Sequence, residues 1–528
     1  MINTPTDIWQ KYSKGLDYHR QVGIIEETER NYDFFEGRQW KNAQVPNPDE
    51  MPKHDIIRQS VSYKFNIISM SLIEMIFLCD NEEFSNALNK FSSEMWEDLK
   101  MQSYLWRMNK SAHITGDSYL YIYDDKQVDS VLTPQKYDSI KRKVIDNVNV
   151  FLGDENNPDI QQQPYIIIRE RLSVDEVRER AKKDIDLIVS DEENETDPDR
   201  VEVKTDNGKC TSLLYLTKKN GTVHFTRAVQ NVIYQPETDS GLTLYPIVNY
   251  ICNEKKGTSR GIGEVKPLIP NQLLINKTLY RRAELIKQIS FPKLVYNEEM
   301  VENPENLYKT GGMIGLKGLS TARVSEIISY LQPSYIGNDA KELNDELIQQ
   351  TKELNSTGNG ALGQVNPERA SGTAIQAVTQ QANIVTNEQM SAYQQLIEDI
   401  GLIFIEFWKK YNPNGLLTED EGNQVIIPIE ELEKIKLKIN VSPSTPYDRL
   451  ATDQQLMELF KGGVITFEEF VDALDENTLI PKNKLQKIIE ARENQQMNEQ
   501  QMIIQKQSEL ISQFKMDEAT NQLQNQAQ

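Results

Sequence analysis

Tyr393-Gln394-Gln395-Leu396-Ile397-Glu398-Asp399-Ile400-Gly401-Leu402-Ile403-Phe404-Ile405-Glu406-Phe407-Trp408 repeats its large apolar side chains at helical spacing. Tyr393, Leu396, Ile397, Ile400, Ile403, Phe404, Phe407 and Trp408 fall on one stripe of an α-helix, and such a stripe must be buried. The pattern reaches back to about Ser371 and is stopped by Pro413-Asn414-Gly415, so a helix of about forty residues and about 60 Å is expected. Its middle, Asn383-Ile384-Val385-Thr386-Asn387, is five residues of modest helix propensity, and irregularity is expected near them.

On the C-terminal side, Val425 to Ile429 and Ile435 to Val441 read as strands ahead of Pro443 and Pro446, and the remainder as short helices ending in a Gln-rich tail. On the N-terminal side lies a loop, 356–370, rich in glycine, preceded by a polar helix over about Asp339 to Asn355. Before that, Phe291 to Pro333 is a compact segment with strand-like Lys293 to Tyr296 and Met313 to Leu316. A further helix runs from about Gly263 through Ile289, with Pro267 and Pro270 near its start, where proline is tolerated.

The N-terminal half opens with helical spacing at Ile24, Ile25, Thr28, Tyr32 and Phe35, then a loop with Pro46, Pro48 and Pro52. An apolar helix from about Val61 to Leu78 and an amphipathic one from about Phe84 to Thr115 follow. From there the texture is β-rich. Ser118 to Tyr123, Val128 to Leu132 and Tyr165 to Arg169 read as strands, and Ser173 with Glu176 as a capping-box start to a helix reaching about Val189. Ser190 to Glu202 reads as a solvated acidic loop. Thr211 to Lys218 and Thr222 to Ala228 flank Asn220-Gly221 as a hairpin. The fold class expected is therefore α+β and mainly helical.

The 528 residues carry 58 Lys and Arg against 80 Asp and Glu, a net charge of −22, with 38% hydrophobic content. That is an ordinary globular composition, and its sign disfavours a general grip on phosphates. Cys79, Cys210 and Cys252 lie far apart, so a reduced, cytoplasmic setting is expected for synthesis. Met1 to Trp9 shows no secretory pattern. Ile67 to Leu78 and Ile400 to Trp408, the most apolar stretches, are too short to cross a bilayer and read as core helix.

No P-loop or HExxH occurs, and His19, His54, His113 and His224 have no metal-ligand spacing, so no cofactor and no metal is expected and the chain does not read as an enzyme. Gly358, Gly360 and Gly363 spell GxGxxG, but a polar helix precedes them where a dinucleotide site needs a strand. Glu468 and Glu469 lack the order of a calcium loop and read as a helix start capped by Thr466. Lys277, Arg281, Arg282, Lys287 and Lys293 form the most conspicuous positive patch of an acidic chain, although an isolated run of that kind is ordinarily a solvated face.

Three stretches carry a family resemblance: Asn31-Tyr32-Asp33-Phe34-Phe35-Glu36-Gly37-Arg38-Gln39-Trp40, the Gly257 to Pro292 stretch leading into Lys293-Leu294-Val295, and Glu368-Arg369-Ala370-Ser371-Gly372-Thr373-Ala374-Ile375. In that order they resemble the portal, or head-to-tail connector, proteins of tailed bacteriophages, and the likeness covers nearly the whole chain. It implies an N-terminal wing over 1–262, paired stem helices at 263–290 and 337–355, and a small β-containing clip at 291–336 between them. A tunnel loop at 356–370, a long helix and remaining wing at 371–445, and a helical crown at 446–528 complete it.

The resemblance implies a homo-oligomeric ring, typically a dodecamer, at the portal vertex of the virion capsid. Double-stranded DNA would pass through it during packaging and ejection, and terminase, a head-tail adaptor and the major capsid or scaffolding protein would be partners, with no membrane involved. Twelve copies would carry on the order of 260 negative charges, which discourages DNA from adhering to a channel wall. Gly358, Asn359, Gly360, Gln364, Asn366 and Arg369 are the candidate DNA-facing residues. Lys277, Arg281, Arg282 and Lys287 on one stem helix, with Asp339, Glu342, Asp345 and Glu346 on the other, are candidate inter-subunit contacts. Two other readings use the same residues: a cytoplasmic helical scaffolding protein without a channel, and a nucleotide-dependent enzyme using the GxGxxG loop.

Overall fold

The computed structural model describes residues 4–41, 43, 47, 51–70, 73–124, 140–181, 184–191, 208–290, 293–317, 323–331, 339–355, 386–420, 423–441, 446–474, 482 and 484–489. The chain forms two compact units, Met1–Ser442 and Pro443–Gln528. The first begins with helices α1 (Pro5–Val22), α2 (Ile24–Phe35) and α3 (Ile56–Met70), strand β1 (Ile73–Leu78), and helices α4 (Glu82–Asp98) and α5 (Met101–Thr115). The β-rich part holds β2 (Asp117–Asp124), β3 (Ile140–Asp146), β4 (Val150–Leu152), β5 (Ile166–Ser173), α6 (Val174–Arg180), β6 (Lys209–Lys219), β7 (Thr222–Val229), β8 (Val232–Asp239) and β9 (Ile247–Ile251). Next come α7 (Ile269–Ser290), β10 (Lys293–Tyr296), α8 (Val324–Ile327), β11 (Ile328–Leu331) and α9 (Asp339–Leu354). The unit ends with α10 (Asn387–Tyr411), β12 (Leu416–Asp420), β13 (Asn423–Ile427), α11 (Ile429–Lys434) and β14 (Lys436–Val441).

All eight stripe residues of α10 are buried, as their spacing predicts. They pack with Phe77, Leu88, Met95, Leu105, Tyr250, Leu416 and Ile427 in the largest apolar core. Gly401 lets the helix come close to β14, since a Cβ there would lie 2.6 Å from Leu437 Cδ2. The part of the expected helix upstream of Asn387, its irregular middle and the whole 356–370 loop lie outside the described residues.

The strands make an antiparallel five-stranded sheet, β4-β5-β6-β7-β8, a three-stranded sheet β3-β2-β9, and three two-stranded pairs. Between β6 and β7, Asn220 and Gly221 both take positive φ, 53° and 91°, the backbone that a two-residue hairpin turn needs and that Asn-Gly accepts cheaply. The expected strand Val128 to Leu132 and most of the acidic loop lie outside the described residues.

Several expectations are corrected. The apolar run to Leu78 leaves helix at Met70, and Ile73–Leu78 pairs antiparallel with Lys436–Val441, a partner more than 350 residues away that local spacing cannot reveal. The 84–115 helix is two helices, broken at Lys100, whose φ of 49° is left-handed although no Gly or Pro marks the place. Ser173 sits at the N-cap of α6 without a side-chain cap bond, and the helix stops at Arg180. Met313–Leu316 is not a strand; only Leu316 bridges Val301, and the partner of β10 is β11. Helix α1 and strand β12 were not foreseen.

The second unit contains α12 (Pro446–Lys461) and α13 (Phe467–Asp472), with a small core of Phe470, Val471, Leu474 and Ile465. Thr466 and Glu469 form a reciprocal capping box at 2.8 and 3.3 Å, so the acidic pair starts a helix, as expected. Among the described residues no helix is long and apolar enough to cross a membrane.

Candidate functional site

Helices α7 and α9 lie antiparallel within one chain. Ile275 and Leu347 are buried between them with Ile56, flanked by Leu279 and Ile348, and Asn271 Nδ2 donates to Thr351 Oγ1 at 3.2 Å. An apolar seam therefore holds the pair, and the charged residues are left outside it. Lys277, Arg281, Asp339, Glu342, Asp345 and Glu346 are exposed and Arg282 is partly so. None of these seven joins an ion pair with a described residue of the chain. Lys287 does, with Glu284 one turn away at 3.0 Å, which raises its pKa by hydrogen bond and charge.

Beyond the helices, β10 and β11 form an isolated antiparallel pair, Lys293↔Leu331 to Tyr296↔Ile328. Val295, Tyr330 and Leu331 remain at least half exposed, an apolar surface that a lone chain leaves in water.

The start of α7 is rooted by buried amides. Gln272 Oε1 accepts from Ile56 N at 3.2 Å, Asn276 Oδ1 accepts from His54 N at 3.2 Å and from Gln272 Nε2 at 3.0 Å, and Asn276 Nδ2 donates to Gln39 Oε1. This explains the Glu36 to Trp40 motif: it supplies Gln39 to the start of α7, and Trp40 packs edge-on to Tyr280 at 6.1 Å.

Just before α7, Gly257 to Glu264 threads past the start of β2 so closely that a Cβ on Gly261 would lie 2.2 Å from Gly116 O, and one on Gly116 would lie 2.5 Å from Gly261 O. Only glycine fits either position. The passage brings two charged residues into the interior. Arg260 donates to both Glu155 oxygens at 2.8 and 2.9 Å, to Asp117 Oδ2 at 3.2 Å, to the carbonyls of Asn147 and Val150 at 3.1 and 2.8 Å, and to His19 Nε2 at 2.9 Å. Glu264 accepts from Lys64 Nζ at 2.9 Å and from Asn253 Nδ2 at 3.0 Å, and also from Gln389 Nε2 in the first turn of α10.

Burial works against every charge here, and pairing decides which survive. It pushes Glu155 and Glu264 up, yet Arg260 beside the one and Lys64 beside the other hold both carboxyls below the usual range. For Asp117 burial wins over Arg260 and the pKa is raised. Burial pushes His19 and His113 down to about 4. The sequence reading missed both clusters; Gly261-Ile262-Gly263, flanked by the charged Arg260 and Glu264, was the available signal.

The structure thus brings the acidic and basic helices together through apolar residues, with their charges facing outward, while Gly358, Asn359, Gly360, Gln364, Asn366 and Arg369 lie outside the described residues. No curated protein matches the chain. The family model for the Phage P22-like portal protein matches residues 122–528, from β2 through α7, the β10–β11 pair, α9 and α10 to the end. That span takes in both helices and, of the buried clusters, Glu155, Arg260 and Glu264, while His19, Lys64 and Asp117 precede it; the chain belongs to the P22-like family of phage portal proteins.

Proposed function

We propose that this chain is the ring subunit that forms the DNA channel at one capsid vertex and the docking site for terminase and head-tail adaptors. The family match carries the reading. In it residues 1–262 and 371–445 serve as wing, α7 and α9 as stem, 291–336 as clip, 356–370 as tunnel loop with Gly358, Asn359, Gly360, Gln364, Asn366 and Arg369 towards DNA, and 446–528 as crown. The outward charges of the stem pair and the exposed Val295, Tyr330 and Leu331 support it, because both are surfaces that neighbours would cover. The role is structural, with DNA moved by a separate motor, so saturation binding with ATP or NAD should give none. Light scattering and negative-stain images test the ring: the expected mass is a closed oligomer, and a monomer under all conditions overturns the reading.

Lys277, Arg281 and Arg282 of one subunit are proposed to face Asp339, Glu342, Asp345 and Glu346 of the next. Each exposed pair is worth only about 0–1 kcal/mol, but the same contacts recur at every interface of a closed ring. Reversing Arg281 and Arg282 to Glu should lower the ring fraction at low salt, and adding Glu342→Lys and Glu346→Lys should restore part of it. Salt at about 1 M, which shortens screening to roughly 3 Å, should loosen the parent ring. A double reversal that assembles like the parent removes the pairing and leaves a solvated face.

A further inference from the structure

Helix α5 contains no Asp or Glu in its fifteen residues, in a chain with a net charge of −22. Its outer face carries Trp106, Arg107 and Lys110, with Lys100 just before its first residue, and Arg142 reaches it from β3. The cations rest on aromatic rings. Arg142 lies 4.9 Å and Arg107 5.6 Å from the Tyr104 ring centre, and Lys110 Nζ lies 5.6 Å from Trp106 and 5.5 Å from Phe35. Trp106 is 39% exposed and is fixed by an indole hydrogen bond to Asn66 Oδ1 at 3.3 Å.

No carboxylate among the described residues pairs with Lys100, Arg107, Lys110 or Arg142, and Arg142 Nε has no hydrogen-bond partner. Two guanidinium groups sharing one tyrosine ring repel each other, and no carboxylate among the described residues pairs with either. An incoming anion would. Lys100 and Arg107 lie about 10 Å apart along the helix axis and Arg107 and Lys110 about 4.5 Å, so a run of phosphates can meet several at once. Cations held against aromatic rings on a convex helix suit a polyanion's backbone and form no pocket for a small molecule.

We propose that this face of α5, with Arg142, is a contact for the phosphate backbone of double-stranded DNA, separate from the 356–370 loop. The choice of DNA over an acidic protein segment rests on the portal reading; the cationic surface itself does not. The net negative charge of the chain keeps the attraction weak and salt-sensitive.

The test uses the assembled full-length chain and a labelled linear duplex of about 30 base pairs, with affinity followed by anisotropy across about 50 to 200 mM KCl. Each phosphate contact adds about 0.9 to the slope of log K against log salt. Arg107→Gln with Lys110→Gln removes two of four cations, so the slope should fall to about half and binding at low salt by roughly tenfold. Arg107→Lys should keep the parental slope. If the double variant does not assemble, Lys100→Gln, at the exposed helix start, makes the same comparison with one contact fewer. An unchanged slope overturns the proposal. So does a patch that binds poly-glutamate, with the same variants abolishing it, but not the duplex. A parent chain that binds DNA through these residues yet forms no ring would instead count against the portal reading alone.

Discussion

Replacing Arg260 by Met should cost about 3–5 kcal/mol, because it strips the cation from two buried carboxylates and leaves them without a counter-charge. Glu155 loses both arms of a bidentate pair, Asp117 loses its only ion-pair partner among the described residues, and the carbonyls of Asn147 and Val150 lose donors. Arg260 is buried and its own pKa is held well above the usual value, so water does not soften the loss. The residue also joins α1 through His19, the β2 strand through Asp117 and Tyr119, and the turn before β4, just ahead of α7 in sequence. For a unit of the size of Met1–Ser442, an unfolding entropy near 2 cal/mol/K per residue turns 4 kcal/mol into a melting shift of about 4 °C. Calorimetry of Arg260→Met against the parent measures it, and a shift below about 1 °C would show the cluster to be energetically idle. Adding Glu155→Leu should recover part of the loss, since a smaller stranded charge remains.

What the sequence made legible follows from how local each signal is. The α10 stripe, the Asn220-Gly221 turn and the Thr466 cap are each decided by a handful of adjacent residues, and each appears as expected. Pairings across the chain were invisible: nothing near Ile73–Leu78 announces Lys436–Val441, and a run of apolar residues fits helix or strand equally until the partner is known. Lys100 breaks a helix in a left-handed conformation that no glycine marked. Helices α7 and α9 and their charged residues were readable because a solvated polar helix writes its charges in sequence order. Arg260 and Glu264 were not, because a buried ion cluster is defined by Glu155, Asp117, His19, Lys64 and Gln389, which arrive from five separate segments. The functional assignment came from the order of weak motifs, and the geometry now gives one of them a physical reason: Gly261 and Gly263 exist so that the chain can pass β2 and carry Arg260 and Glu264 inside.

Acidification from pH 6.5 to about 4 should destabilise the first unit by on the order of 6 kcal/mol through two histidines. His19 and His113 are both 0% exposed, and burial lowers each pKa from 6.5 to about 4. In the folded chain His113 Nδ1 donates to Asn109 O at 2.9 Å, which leaves Nε2 unprotonated and without a partner. His19 Nε2 accepts from Arg260, so a proton there would face a guanidinium. The unfolded chain binds protons at both rings near 6.5 while the folded chain refuses them until about 4. Stability therefore rises with pH across that window and is lost as pH falls through it. At 1.36 kcal/mol per unit, a gap of about 2.5 units gives about 3 kcal/mol for each histidine. Glu155 and Glu264 add to the loss only at the acid end of this window; with folded values held below the usual range, their stabilisation starts to be lost as pH falls through about 4.5. Asp117, raised by burial, works the other way and gains from protonation, which partly offsets the loss. Urea midpoints followed by tryptophan emission at pH 7, 6, 5 and 4.5 should fall steadily from about 6.5 downward, before the carboxylates titrate. A variant carrying His19→Gln and His113→Gln will start less stable at pH 7, yet its midpoint should stay nearly flat to about pH 5. Parallel pH curves for parent and variant would mean that groups other than these two histidines set the acid limit.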